Sequence, residues 1–163
     1  MKVGVISDTH INTLEQLLPE KVIEVFSTVD CIIHAGDILT ESVIHELEKL
    51  APVHAVRGNN DDPSVCKYDK RKIIKLNGSR IGIVHGFGKG RVFVHALTEF
   101  YEDSVDCIVF GHTHEPFNEV VEGIVMFNPG SATDKRLQKS CSIGILHVPE
   151  NVGEKIVGEI IYF

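Results

Sequence analysis

Short apolar runs that end in glycine or a polar residue are the feature that most constrains how this chain can fold. Their length is typical of buried strands, and three of them open the chain, at residues 2–6, 31–34 and 53–56. Apolar residues at helical spacing predict a helix over 14–26, which Pro19 interrupts or offsets, and a second over 41–50. Strands that alternate with helices in this way predict parallel strands joined by crossover helices.

The remainder of the chain predicts a hairpin, one more helix and further strands. The hairpin joins residues 71–76 to residues 80–84 through an Asn-Gly turn, and a helix follows over 92–101. The further strands are predicted at residues 107–110, 117–121 and 124–127, and near 141–148 and 154–162. No linker or low-complexity segment divides these elements, so we expect one domain over residues 1–163.

Charge and composition exclude several classes of protein. A net charge of −7 argues against stable binding to nucleic acid or anionic membranes. No window approaches the roughly 20 apolar residues that span a bilayer. The N-terminus meets Asp8 before an apolar secretion signal could form, so a cytoplasmic location is expected. The scattered cysteines form no C-x-x-C pair, and those near apolar runs are interpreted as buried residues in a reducing compartment: Cys31, Cys107 and Cys141.

Residues that can bind a metal follow five of the predicted strands. In chain order they are Asp8 and His10, Asp37, Asn59, His85, and His112 and His114. Each group alone is as typical of a turn as of a ligand set. However, the carboxyl ends of parallel strands meet in one crevice, so residues far apart in sequence converge there. Their recurrence at successive strand ends therefore predicts a single site.

The chemistry of these side chains favours a dinuclear metal centre. Carboxylate, amide and imidazole ligands without thiolates suit Mn²⁺, which we expect first, with Ni²⁺, Zn²⁺ and Fe as alternatives. Extended backbone would place His112 and His114 on the same side. Seven ligands exceed the needs of one ion and fit two ions that share a carboxylate. Two cations about 3.5–4 Å apart form the arrangement that attacks phosphate esters.

The ordered motifs resemble those of a known family. Asp-x-His, Gly-Asp, Gly-Asn, His and Gly-His-x-His occur in the order seen in the calcineurin-like metallophosphoesterases. The short chain and the Asn-Pro-Gly-Ser sequence at 128–131 are similar to the small, uncapped bacterial and archaeal phosphodiesterase branch. The resemblance implies an α/β fold, an αββα sandwich of two mixed β-sheets flanked by helices. It also implies hydrolysis of phosphodiesters by a metal-bound hydroxide, without a covalent enzyme intermediate.

The resemblance assigns the ligands residue by residue. One metal would be held by Asp8, His10, Asp37 and His114, and the other by Asp37, Asn59, His85 and His112. Asp37 would bridge the two ions, and Asp37, Asn59 and His85 would carry catalytic roles. Two divalent cations, two carboxylates and one hydroxide sum formally to +1. Such a centre would attract a small anionic phosphate ester even though the whole chain is acidic.

Asn60 departs from the pattern of the family. Many members carry a histidine after the ligand asparagine, and that histidine protonates the leaving group or steadies the phosphate. An asparagine cannot deliver a proton at neutral pH. We therefore count Asn60 as a catalytic position that limits the enzyme, and we expect activated aryl diesters to be cleaved much better than alkyl diesters.

Other functions stay open on the same residues. The centre could serve a phosphomonoesterase or a nucleotide pyrophosphatase. It could also serve a non-catalytic metal-binding scaffold, like the phosphoesterase-like subunit of the retromer coat. Because all seven ligand positions are filled, an enzyme is favoured. A homodimer is compatible with the sequence without being indicated by it.

A few further polar residues carry alternative interpretations. Lys89 or Arg91 could touch the second substituent of the phosphate, although the glycines around them match neither a P-loop nor a dinucleotide-binding motif. His34 could orient the site or simply pack in a strand. Asn128 and Ser131 either border the crevice or form the turn around Pro129-Gly130.

Overall fold

Three parallel strands alternate with two helices at the start of the chain. The computed structural model describes residues 1–13, 17–61, 63–65, 67–151 and 153–163. The elements of this first part are β1 (Lys2–Ile6), α1 (Glu20–Phe26), β2 (Cys31–His34), α2 (Glu41–Glu48) and β3 (Val53–Ala55). The predicted β-α-β-α-β pattern is confirmed.

Helix α1 begins later than the apolar spacing predicts. Pro19 has an extended backbone with ψ 141° and stands immediately before the first helical residue, Glu20. A proline disfavours helical geometry in the residue before it, and its own ring blocks a preceding helical turn. The prediction of a helix over 17–19 was therefore wrong, and its start at 14–16 lies outside the described residues.

The second part of the chain supplies a short 3-10 turn (Pro63–Val65), one helix and seven strands. They are β4 (Arg71–Leu76), β5 (Ser79–Val84), α3 (Val92–Glu99), β6 (Cys107–Val109), β7 (Phe117–Val121), β8 (Ile124–Asn128), β9 (Ser142–His147) and β10 (Val157–Tyr162). The predicted β4–β5 hairpin turns through Asn77 and Gly78, whose φ angles are 47° and 88°. Positive φ at both turn residues matches the tight type I′ turn that Asn-Gly favours.

The strands form two five-stranded mixed sheets. The first has the order β10-β9-β1-β2-β3 and the second the order β4-β5-β6-β8-β7. In the first sheet β1, β2 and β3 are parallel, and β9 runs antiparallel to β1. In the second sheet β5, β6 and β8 are parallel, with antiparallel strands at both edges. The expected α/β sandwich of two mixed sheets is confirmed.

Three apolar layers hold the sandwich together. Between the sheets, residues such as Val5 and Ile33 pack in one cluster with Ile83 and Phe127. Helices α1 and α2 cover the outer face of the first sheet, and α3 covers that of the second. Full burial of each such side chain contributes about 1.5–3 kcal/mol. These layers fix the sheets, so the loops at the strand ends have firm supports.

The loops that follow the strands are bonded to one another. The backbone N–H of Asp8, after β1, donates to the carbonyl of Gly36, after β2, at 3.0 Å. In the second sheet, the N–H of Gly111, after β6, donates to the carbonyl of His85, after β5, also at 3.0 Å. Each sheet therefore holds its own set of predicted ligands in register.

The fold also tests the predictions about the cysteines and about membrane-spanning segments. Cys31 and Cys107 are buried as expected, whereas Cys141 is partly exposed because it lies just outside β9. Cys66 lies outside the described residues. None of the helices in the described part of the chain is long and apolar enough to cross a membrane.

Candidate metal centre

All seven predicted ligands meet at one place on the rim of the sandwich. Contacts of less than 4 Å link each of them to at least one other, in a network made of Asp8, His10, Asp37, Asn59, His85, His112 and His114. Ligand atoms that share a metal ion at about 2.1 Å lie roughly 3.0–3.4 Å apart at angles near 90–110°. The shortest distances among the carboxylate and imidazole ligand atoms in the network, 3.2–3.4 Å, fall within that range.

The first group of ligands centres on Asp8. Its Oδ1 lies 3.3 Å from Nε2 of His114, and that nitrogen lies 3.2 Å from Nε2 of His10. Oδ2 of Asp37 completes the group at 3.6 Å from Nε2 of His10. Three of these residues, Asp8, His10 and His114, place one ligand atom each within 4.8 Å of one another.

The second group shares both carboxylates with the first. Nε2 of His85 lies 3.4 Å from Oδ1 of Asp37 and 3.9 Å from Oδ1 of Asp8. The two oxygens of Asp37 therefore face the two groups separately, the geometry that a bridging carboxylate needs. Oδ1 of Asp8 also faces both groups. Beside them, Oδ1 of Asn59 lies 3.0 Å from Nδ1 of His112.

The two most buried histidines among the predicted ligands are oriented by backbone carbonyls. Nδ1 of His85 donates to the carbonyl of Ala35 at 2.8 Å, and Nδ1 of His114 donates to that of Asp134 at 2.5 Å. A neutral imidazole that donates from Nδ1 carries its lone pair on Nε2. In both residues that lone pair faces a carboxylate oxygen, an arrangement that is repulsive unless a proton or a cation lies between them.

Two buried polar atoms in the centre lack a hydrogen-bond partner among the described residues. They are Oδ1 of Asp8 and Nε2 of His85. Buried polar atoms normally have partners, because leaving one unmet costs about 1–3 kcal/mol. These two are good metal-ligand atoms, and they face each other across the junction of the two groups. The residues present therefore fit divalent cations.

The electrostatics of the centre favour positive charge. Burial alone would raise the pKa of Asp8, but the adjacent imidazoles of His114 and His85 bring that pKa below its usual value. Burial would likewise raise the pKa of Asp37, yet His85 lowers it well below its usual range. Burial would lower the pKa values of His85 and His114, but their carboxylate neighbours raise them. At His10, by contrast, burial outweighs the carboxylates and lowers the pKa.

The comparisons with known proteins agree with this geometry. The model of the calcineurin-like phosphoesterase superfamily domain matches residues 1–151. The chain belongs to this superfamily. A Methanothermobacter thermautotrophicus protein named as a probable metallophosphoesterase is 38% identical over 162 residues, which cover 99% of this chain and 92% of that protein. A phosphodiesterase of Methanocaldococcus jannaschii is 31% identical, covering 98% of this chain and 100% of its own.

Solved structures share the fold of this chain. The structure of a novel archaeal phosphodiesterase aligns with a TM-score of 0.76 at 28% identity and covers 100% of both chains. Wild-type Vps29 of Entamoeba histolytica, solved in complex with Zn²⁺, aligns with a TM-score of 0.75 at 22% identity and covers 99% of both chains. The second likeness shows the fold alone.

Backbone strain in this protein is concentrated at the candidate metal centre. Five of the seven predicted ligands have positive φ angles between 46° and 73°, namely Asp8, His10, Asp37, His112 and His114. Such angles are uncommon outside glycine, and they persist where the surrounding structure enforces them. His112 and His114 were predicted to share one side of an extended strand, but both adopt left-handed angles because the chain has already left β6.

Two glycines leave room for the carboxylates. A Cβ atom on Gly58 would lie 2.1 Å from Oδ1 of Asp37, and one on Gly111 would lie 1.9 Å from Oγ of Ser7 and 2.7 Å from Oδ2 of Asp8. These distances are too short for a side chain at either Gly58 or Gly111. The glycines of the Gly-Asn and Gly-His motifs are thus required because loops from different strands approach each other closely.

Asn60 lies against the proposed bridging residue. Its backbone N–H donates to Oδ1 of Asp37 at 2.9 Å, and its side-chain amide donates to Oδ2 at 2.7 Å. These donors support the ionised form of Asp37. The second asparagine of the Gly-Asn-Asn sequence therefore holds a ligand carboxylate, a role that the sequence did not reveal.

Asp61 is a supporting residue that sequence reasoning missed. Its carboxylate accepts hydrogen bonds from the N–H of Gly58 at 2.6 Å and from that of Leu39 at 2.7 Å. It therefore ties the loop after β3 to the loop after β2. An aspartate three residues after a turn glycine is a signal for this role, because such side chains commonly bond nearby backbone.

His34 and the Asn-Pro-Gly-Ser turn lie directly behind the ligands. Nδ1 of His34 accepts from the N–H of Gly36 at 3.2 Å, so its Nε2 donates to Oγ1 of Thr9 at 3.1 Å. Ser131 donates to the carbonyl of Asp8 at 2.7 Å. Asn128 donates to the carbonyl of Gly111 at 3.0 Å. These residues support the loops that carry the ligands.

Proposed function

We propose that this protein is a metal-dependent phosphodiesterase with a dinuclear centre. The observation that carries the proposal is the pair of overlapping ligand groups, in which Asp37 presents one oxygen to each group. The unpartnered atoms of Asp8 and His85 at their junction support it. A 31% identical relative named as a phosphodiesterase supports the choice of a diester substrate.

Each ligand residue has a defined task in this proposal. Two divalent cations bound here would supply Lewis acidity and an activated water for attack on phosphorus. Asp8 and Asp37 provide the negative charge that retains the cations. Backbone carbonyls hold the rings of His85 and His114 with Nε2 towards the centre. Asn59 offers a neutral amide oxygen on the exposed side, where a substrate can enter.

The overall reaction needs no co-reactant besides water. The water oxygen forms a bond to phosphorus and gives up a proton to solvent, while the bond from phosphorus to the leaving oxygen breaks. The leaving oxygen takes its proton from solvent, because Asn60 has no proton to give at neutral pH. The proposed substrate is a small phosphate ester in the cytoplasm, and Mn²⁺ is the metal we expect first.

A metal-binding scaffold is the alternative with an observation behind it. Vps29, which shares this fold, was itself solved with Zn²⁺, so metal binding alone would not distinguish the two functions. The complete set of carboxylate, histidine and asparagine ligands around the centre favours turnover. Activity therefore has to be measured on protein of known metal content.

The test combines metal analysis with two substrates. Metals per chain are measured, and hydrolysis of bis(p-nitrophenyl) phosphate and p-nitrophenyl phosphate is then compared with Mn²⁺, Ni²⁺, Zn²⁺ and Mg²⁺. We expect about two metals per chain and faster release from the diester. Faster release from the monoester would instead support a phosphomonoesterase. Fully loaded protein that cleaves neither ester would support the scaffold.

A further inference from the structure

A cavity of about 390 Å³ opens directly beside the metal centre. Its lining includes His85 and Asn59, two of the predicted ligands. Its volume lies within the range of small-molecule sites. A group bound to the centre through its phosphate would therefore have one of its substituents next to this cavity.

Three basic residues also line the cavity, namely Arg57, Lys70 and Arg71. Lys70 is exposed and has no ion pair or hydrogen bond with the part of the chain that the structure describes. Arg71 is held in place by an ion pair with Asp103 and by the ring of Phe100, 4.4 Å below its guanidinium. Even with Glu99 on the same wall, the lining is cationic in a chain of net charge −7.

The same cavity presents an aromatic face. Phe87, in the loop after β5, is 52% exposed although it is a large apolar residue. Its ring packs against His95 at 4.7 Å between centroids, which steadies it. Val84 adds apolar surface. An exposed aromatic ring beside cations is suited to a ligand that is flat and also negatively charged.

We propose that this cavity holds the substituent of the phosphodiester that is not the leaving group, and that it selects a substituent with a flat ring and a second negative charge. That combination is the chemistry of a nucleoside phosphate. Phe87 would stack on the ring, and Lys70 with its arginine neighbours would bind the second phosphate. This inference rests on the proposed phosphodiesterase function and names its substrate class.

The position of the cavity also revises a hypothesis from the sequence. Lys89 and Arg91 were candidates for contacting the second substituent, but neither lines this cavity. Their loop contributes in another way, because the carbonyl of Gly88 accepts a hydrogen bond from Nε2 of His112 at 2.9 Å. The basic residues beside the centre come from the segments 57–58 and 70–71 instead. The N–H of Arg57 donates to the carbonyl of Asp69 at 2.9 Å, which holds these segments together.

The kinetic test uses three diesters with the same p-nitrophenyl leaving group. They are methyl p-nitrophenyl phosphate, thymidine 5′-(p-nitrophenyl phosphate) and the thymidine diester that carries an additional 3′-phosphate. We expect KM to fall at each step by about tenfold, because first a ring and then a charge is added. We expect kcat to change little. Equal KM values for all three diesters would overturn the proposal.

Variants assign the effect to single residues. Phe87→Ala should remove most of the gain from the ring, and Lys70→Gln should remove most of the gain from the 3′-phosphate. Phe163→Ala and Lys155→Gln are matched controls, because they change an aromatic and a lysine that do not line the cavity. If the control variants alter the KM series as much as the cavity variants do, the assignment is wrong.

Binding separates failure of this inference from failure of the proposed function. Thymidine 3′,5′-bisphosphate and inorganic phosphate are titrated into metal-loaded protein by calorimetry. We expect tighter binding of the bisphosphate, with the preference lost in Phe87→Ala and Lys70→Gln. Preferential binding of the bisphosphate without hydrolysis of any diester would reject the phosphodiesterase function and support the nucleoside-phosphate cavity. Hydrolysis of all three diesters at equal KM, without preferential binding, would support the phosphodiesterase function and reject the nucleoside-phosphate cavity.

Discussion

The metal centre has a buried half and an open half. The buried half consists of Asp8, Asp37, His85 and His114, each at most 3% exposed. The open half consists of His10, Asn59, Asn60 and His112, which are exposed or partly exposed. The two halves touch, since the N–H of His112 donates to Oδ2 of Asp8 at 2.9 Å.

The difference between the halves fits the proposed function, in which one site retains metals and also admits a substrate. The buried half combines crowded glycines and two ionised carboxylates away from water. Buried charges of this kind are costly unless they are paired, so the buried half needs cations or protons. The open half has neutral amides and solvent access, so its residues can bind and release a substrate at little cost.

The largest expected effect comes from substituting one residue in each half. Asp8→Asn keeps the shape of the side chain but removes a charge that faces both ligand groups, so metal should be lost from both. Asn59→Ala removes one neutral ligand, so about one metal per chain should remain of about two. Metal content by elemental analysis measures both, and diester hydrolysis should fall further in Asp8→Asn.

Asn118→Ala is the control for loss of an asparagine, because Asn118 lies in β7 and its amide donates to the carbonyl of Gly158. It should retain the metal content of the unmodified protein. If Asp8→Asn and Asn59→Ala lose equal amounts of metal, the distinction between the two halves is incorrect.

The next effect concerns the open half alone. Asn60→His would place a proton donor beside the leaving group, and general acid catalysis typically contributes about 10²–10⁴-fold. We therefore expect the rate gap between an aryl diester and a dialkyl diester to narrow by about tenfold or more. Rates for both esters, measured on protein of equal metal content, test this.

Asn60→Ala separates proton donation from support of Asp37. It removes the amide donor to Oδ2 but keeps the backbone donor to Oδ1, so both esters should be cleaved more slowly with an unchanged gap. A gap that is the same in Asn60→His as in the unmodified protein would contradict a leaving-group role.

Most of the fold was predictable from local patterns. Strand lengths, the Asn-Gly hairpin and the alternation of strands and helices all follow from short-range preferences. The start of α1 could not be predicted from these patterns. The helical spacing of apolar residues continues across Pro19, through residues that the proline prevents from being helical. The division into two sheets came from the family resemblance, since strand alternation alone is also compatible with a single sheet.

The site was predictable in residue type and less so in arrangement. Motif order identified the seven ligand candidates, and topology brings them together. The left-handed angles at His112 and His114, the bonds from Asn60 to Asp37 and the link through Asp61 depend on contacts between loops that are distant in sequence. No local pattern reports such contacts. The sequence therefore predicts that Asn60 cannot donate a proton to the leaving group, but not that it binds Asp37.

The smallest expected effect tests how the buried half is supported from behind. Burial lowers the pKa of His34 from 6.5 to about 3. The unfolded chain therefore binds a proton at this residue between those values while the folded chain does not. Stability from this residue is present above pH 6.5 and is lost as the pH falls towards 3. From pH 7 to pH 5 the loss is about 2 kcal/mol.

The measurement is urea unfolding of chelator-treated protein at pH 7 and pH 5. The free energy of unfolding of the unmodified protein, minus that of His34→Gln, should shrink by that amount on acidification, because glutamine does not titrate. His147→Gln, a change at an exposed histidine in β9, is the matched control for loss of an imidazole. A constant gap for His34→Gln would mean that His34 is not kept neutral behind Thr9, and that the buried half does not depend on its hydrogen bonds at acidic pH.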